Sequence, residues 1–110
     1  LKDEYNNIGD CYLSQLNYKT ALEYYNKSLA LCDETNDLKA KRWCYKEISG
    51  LYNKQQKYEE ALEFRFKSLE INQQLNDKNE IAYDYVDIAK IYTAQSNYTR
   101  ALEYHIKSLK

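Results

Sequence analysis

The chain has 110 residues, 44% hydrophobic and 30% charged, which is enough for one modest domain with its own core. Sixteen basic residues are balanced by seventeen acidic ones, and the two kinds are interspersed, so the basic footprint of a nucleic-acid binder is missing. No apolar run is long enough to cross a bilayer, which excludes a membrane span. Proline is absent and glycine occurs only at Gly9 and Gly50, which leaves helix interiors uninterrupted and removes the usual turn formers of β folds. An all-α fold is expected.

Taken in order, the apolar positions Tyr5, Ile8, Gly9, Tyr12, Leu13 and Leu16 keep a three-and-four spacing and predict a first helix over residues 1–16. Asn17 is placed to cap a second helix whose face runs through Tyr18, Ala21, Leu22, Tyr25, Leu29 and Cys32. The polar run from Asp33 to Asp37 ends it, and Asp37 can cap a third helix bearing Leu38, Trp43, Tyr45, Ile48, Leu51 and Tyr52. After the turn at 55–57, where Lys57 is a poor cap, a fourth helix carries Tyr58, Ala61, Leu62, Phe64, Leu69, Ile71 and Leu75. Asp77 followed by Glu80 fits an acidic capping box ahead of a fifth helix with Ile81, Tyr85, Ile88, Ala89, Ile91 and Tyr92. Ser96 and Asn97 make the last turn, and a sixth helix runs from Tyr98 through Ala101, Leu102, Tyr104 and Ile106.

The segment from Ala21 to Leu29 returns as Ala61 to Leu69 and again as Ala101 to Leu109, an interval of 40 residues each time. Such self-similarity marks a chain built by stacking one helical hairpin on copies of itself. The positions that recur, among them Tyr5, Ile8, Tyr12, Tyr18, Ala21, Leu22, Lys27, Ser28 and Leu29, are mostly expected core. Gly9, Ser49 and Ala89 share only smallness, which suits the crossing of two closely packed helices. One domain over residues 1–110 is expected, with repeats at about 1–37, 38–77 and 78–110, as an excerpt of a longer array.

The pattern of aromatic, aliphatic, small residue and Tyr in the first helix, then Tyr and Ala after a short turn, resembles the tetratricopeptide repeat. It is read as Tyr5, Ile8, Gly9, Tyr12, Tyr18, Ala21 and Tyr25 in the first copy, and as Tyr45, Ile48, Ser49, Tyr52, Tyr58 and Ala61 in the second. The common repeat has 34 residues. An interval of 40 and the absence of proline make this chain more similar to the long-helix variety found in kinesin light chains, Pins/LGN polarity scaffolds and bacterial signalling proteins. Arg65 and His105 stand where the first copy has Tyr25, so Tyr24, Phe64 and Tyr104 are expected to do more of the packing. The resemblance implies a right-handed α-solenoid of three antiparallel hairpins, its first helices lining a concave groove.

By position, the groove candidates are Asn6, Asn7, Asp10, Leu13, Trp43, Lys46, Asn53, Tyr83, Val86 and Lys90, with Asp3, Glu47, Gly50, Asp87 and Thr93 beside them. They differ between copies, as a surface does. Trp43 and Tyr83 occupy equivalent slots and either anchor a peptide side chain or pad the junction with the preceding helix. Family members that bind chaperones share a set of Lys, Asn and Arg that clamps a terminal carboxylate. Gly50 and Asp10 fall where an amide would be needed, so that clamp is not expected here.

No catalytic, metal or cofactor site is expected. His105 stands alone, and Cys11, Cys32 and Cys44 form no CxxC pair, so the cysteines are expected to pack as small apolar residues in a reducing compartment. With no charged-then-apolar leader at its start, the chain is expected to be cytoplasmic. The expected function is a non-catalytic protein-interaction scaffold for a peptide or partner helix. The alternatives are a regulatory segment contacting its own effector domain in a signalling protein, or a self-assembling spacer. The last helix is expected to present Tyr104, Ile106 and Leu109, and so to associate end to end with another copy.

Overall fold

One turn, used five times, sets the architecture of the computed structural model, which describes residues 1–110. Six helices are strung on it: α1 Lys2–Ser14, α2 Tyr18–Thr35, α3 Leu38–Lys54, α4 Tyr58–Gln74, α5 Lys78–Ala94 and α6 Tyr98–Ser108. No strand is present, and no helix is long and apolar enough to cross a membrane. At each turn one residue takes the left-handed conformation: Leu16, Asn36, Gln56, Asn76 and Ser96 have φ between 53° and 61°. The amide of the next residue then reaches back to a carbonyl in the last turn of the helix, as in Asn17 to Tyr12 (2.9 Å) and Asp77 to Asn72 (3.0 Å). This satisfies carbonyls that a helix end leaves open.

The residue that closes one helix also opens the next. The side chains of Asn17, Asp37, Asp77 and Asn97 each accept from the amide three residues on, whereas Lys57 caps nothing. Leu16 therefore does not continue the apolar face of α1, as its spacing suggested, but is exposed at the turn. The reciprocal half of the capping box is also missing, because the Glu80 carboxylate pairs with Lys46 instead.

Each hairpin is held by the same aromatic arrangement. Tyr12 stacks on Tyr24, Tyr52 on Phe64 and Tyr92 on Tyr104, with ring centroids 5.8, 5.8 and 5.7 Å apart. Tyr5, Tyr45 and Tyr85 tilt against the same second ring. The recurrent lysines close the arrangement: Lys27, Lys67 and Lys107 place Nζ 4.7–4.8 Å from the ring centroids of Tyr24, Phe64 and Tyr104, a cation–π contact. The expected packing role of residues 24, 64 and 104 is borne out. Tyr104 accordingly is not presented outward: it is half-buried among Phe66, Tyr85 and Tyr92. The exposed apolar side chains of α6 are Tyr98, Leu102 and Ile106, with Leu109 just beyond.

The small residues are used as expected. Gly9, Ser49 and Ala89 are all buried, and the Ser49 hydroxyl donates to the carbonyl of Ala61 at 2.7 Å. Between hairpins, α3 packs on α2 and α5 on α4. The first of these junctions is centred on Ala21, Tyr25, Ile48 and Leu51, the second on Ala61, Leu62, Leu69, Ile88 and Ile91. Cys32 and Cys44 lie buried at the first junction, with Ser28 Oγ 3.4 Å from Cys44 Sγ, and burial pushes the Cys44 thiol up to about 11. Cys11, expected to pack inside, is exposed, because its side of α1 faces away from α2, the helix on which α1 packs.

Candidate interaction surface

The helices α1, α3 and α5 run side by side, and polar contacts bridge them. Lys2 pairs with Asp37, the cap of α3, and forty residues later Arg42 repeats this by pairing with Asp77, the cap of α5, at 3.1 Å. Lys46 of α3 meets Glu80 of α5 at 2.9 Å, and Cys44 lies 3.8 Å from the Asn6 amide oxygen.

Of the ten residues singled out by position, the structure gathers Asn6, Asn7 and Trp43, which with Asp3 and Ala40 enclose a shallow cavity of about 250 Å³ between α1 and α3. Trp43 has two contacts: it lines this cavity and its ring stands edge-on to Tyr25, with centroids 6.0 Å apart. Tyr83, its counterpart on α5, is exposed. The two aromatics therefore do different things. Asp10 is held in place by the Tyr25 hydroxyl, which donates to it at 2.5 Å, and Leu13 packs against the core of the first junction. Lys46 is engaged by Glu80, Val86 is half-buried, and Asn53 and Lys90 are exposed.

Charge on this face is mixed. Burial raises the pKa of Glu47, and the nearby Asp10 carboxylate raises it further, while Lys46, Arg65 and Lys54 act the other way. The Tyr25 phenol is pushed far up, first by burial and then by its bond to Asp10. No three His, Cys, Asp or Glu side chains converge as metal ligands would.

The most developed polar cluster was not among the expected residues. Asp84 of α5 is fully buried, with Oδ1 receiving Arg65 (3.2 Å) and Ser68 (3.3 Å), and Oδ2 receiving Asn72 (2.5 Å) and Ser68 (3.3 Å). Arg65 also reaches Asp87 at 3.1 Å, and Arg42 donates to the Asn72 amide oxygen at 2.9 Å. Burial raises the Asp84 pKa, and the bonds from Asn72 and Arg65 counter that rise. A reading of apolar spacing passes over such residues. Their signal was that Arg65, Asn72 and Asp84 stand where the first junction has Tyr25, Cys32 and Cys44, three departures that fall on one seam.

The sequence pattern that defines the tetratricopeptide repeat matches residues 5–65 and, overlapping, 45–110. The chain belongs to the tetratricopeptide repeat family. No curated protein matches it by sequence. Among solved structures, this tetratricopeptide repeat chain is similar to the TPR domain of Arabidopsis FLU, with TM-score 0.87, 18% identity, and 98% of this chain and 91% of that one covered. It is similar also to aspartyl phosphate phosphatase F from Bacillus subtilis, with TM-score 0.92, 18% identity, and 99% and 28% covered. A third similar structure is the TPR2AB domain of yeast Sti1, solved as a complex with pHSP90, with TM-score 0.80, 20% identity, and 98% and 40% covered. At such identities the likeness establishes the fold, a solenoid of three antiparallel helical hairpins.

Proposed function

We propose that this tetratricopeptide repeat chain is a non-catalytic interaction scaffold, and that the face formed by α1, α3 and α5 is a groove holding an extended peptide or a partner helix. One observation carries the reading: most positions that pack recur at the 40-residue interval, whereas Asn6, Asn7 and Trp43 do not recur and yet converge on one cavity. The cavity's chemistry suits a partner that inserts one apolar side chain against the Trp43 indole while Asn6 and Asn7 meet its backbone amides. Around it, the bridges Lys2–Asp37 and Lys46–Glu80 hold the helices in register, so that little ordering is needed on binding. The complex of yeast Sti1 with pHSP90 is a precedent for a partner on this fold.

Trp43 is the single tryptophan, so its emission reports on the cavity directly. Peptides selected from a random library on the wild-type protein should change that emission on binding. They should lose at least about tenfold in affinity for Asn7→Ala, whose exposed side chain does not contribute to the core. Selected peptides that leave the emission unchanged and bind Asn7→Ala as well as the wild type would place the binding surface elsewhere.

A further inference from the structure

One carboxylate on α3, the middle helix of the groove, has no partner. Glu47 is half-buried, yet no hydrogen bond or ion pair reaches its oxygens, which still meet solvent. The cations around it are committed elsewhere: Lys2 to Asp37, Arg42 to Asp77, Lys46 to Glu80, and Arg65 to Asp84 and Asp87. Lys54, the nearest unpaired lysine of α3, lies two turns away, about 10 Å along the helix. The group that does approach is a second carboxylate. Asp10 accepts from the Tyr25 hydroxyl at 2.5 Å, the Tyr25 ring stands against the Trp43 indole, and Asp10 is close enough to raise the pKa of Glu47. Along their helices Asp10 follows Asn6, and Glu47 follows Trp43, by one turn, so the two carboxylates continue the cavity past its indole. A half-buried carboxylate with no counterion opposes folding, and such a breach of local consistency is expected at a functional position. An indole wall that gives way, about 5 Å on, to two uncompensated carboxylates matches a side chain with an apolar stem and a cationic head.

Resting on the groove reading, we infer that the bound peptide carries an arginine whose stem lies along the Trp43 indole and whose guanidinium bridges Glu47 and Asp10. The five donors of a planar guanidinium suit two carboxylates better than the three of an ammonium, so lysine should serve less well.

Peptides selected from a random library on the wild-type protein should show a recurrent arginine. Replacing it by citrulline, which keeps the shape and removes the charge, should weaken binding by at least about tenfold in calorimetric titrations. Glu47→Gln should weaken the arginine peptide by a similar factor and the citrulline peptide hardly at all. Asp10→Asn, which keeps an acceptor for the Tyr25 hydroxyl, should act in the same direction. Both changes remove a charge and keep the shape of the side chain, so circular dichroism should show unchanged helix content. Suppose the selected peptides change Trp43 emission and lose affinity for Asn7→Ala, but carry no recurrent arginine or bind Glu47→Gln as tightly as the wild type. That result overturns the inference and leaves the groove reading standing. Peptides that fail the emission and Asn7→Ala tests remove the groove reading, and this inference with it.

Discussion

Replacing glycine by alanine should have opposite effects at the two glycines. Both lie within helices, Gly9 in α1 and Gly50 in α3, where alanine is better than glycine by about 1 kcal/mol. At Gly50 an added Cβ meets nothing within 4 Å, so the whole gain should appear. At Gly9 it would lie 2.8 Å from Cε1 and 3.0 Å from Cδ1 of Tyr25. That ring cannot swing aside freely: it is fully buried, Trp43 stands edge-on to it, and its hydroxyl is bound to Asp10. Overpacking of this kind costs about 1–3 kcal/mol, and a strained hydrogen bond adds about 1 kcal/mol. Against the propensity gain, Gly9→Ala should destabilise by about 1–3 kcal/mol, and the two variants should differ by about 2–4 kcal/mol. At about 4 °C per kcal/mol, their melting temperatures should stand about 8–16 °C apart. Urea unfolding followed by circular dichroism gives the same comparison in free energy. In a double-mutant cycle, Tyr25→Leu should remove most of the harm done by Gly9→Ala, a coupling of about 1–2 kcal/mol. Equal stability of Gly9→Ala and Gly50→Ala would refute the claim that the Tyr25 ring dictates glycine at position 9.

Asp84→Ala leaves Arg65 buried with Asp87 alone and should cost about 3–5 kcal/mol in urea unfolding; the joint change Arg65→Met with Asp84→Cys, closer to the neutral first junction, should cost less. Burial makes folded Glu47 hold its proton above the ordinary 4.5, so its ionisation opposes folding. The stabilising effect of Glu47→Gln should therefore be small at acid pH, where the wild-type carboxyl is neutral in both states. It should grow as pH rises through the window between 4.5 and the raised value, as a pH series of urea midpoints would show. At the left-handed turn position, Gln56→Gly should raise stability by about 1 kcal/mol, while Asn36→Gly should raise it less, since asparagine tolerates that conformation; thermal melts compare the two.

Helix type and number were legible because each helix buries a stripe of apolar residues against its neighbours and leaves the rest to solvent, so burial writes a clear three-and-four period into residues such as Tyr45, Ile48 and Tyr52. Four of the five caps were legible too, because Asn and Asp supply the acceptor that a helix start requires. The left-handed turns were not: Leu16 extends the apolar period, and only the backbone shows that the helix has stopped before it. Read from the turns, the interval is 20 residues, half that of the hairpins, since positions 16, 36, 56, 76 and 96 share one conformation with four residue types. On the interaction surface, spacing placed Asn6, Asn7 and Trp43 on facing sides of α1 and α3. It did not separate the engaged Lys46 and Asp10 from the free Asn53, because a long or charged side chain chooses its partner in three dimensions. Asp84 escaped for a related reason: a carboxylate inside a core follows no apolar rule and is intelligible only beside Arg65, nineteen residues away.

The unlike chemistry of the two inner seams also guards the order of assembly. Three hairpins with nearly the same stacking surface run the risk, while the chain is folding, of closing on the wrong neighbour. Were α2 to settle on α5, Asp84 would be enclosed against Tyr25 and Cys32, stripped of water and without its guanidinium. That mistake leaves a bare charge in an apolar setting, at several kcal/mol. Only the sequential arrangement gives the buried Asp84 its counterpart in Arg65, so proofreading is built into the seam itself.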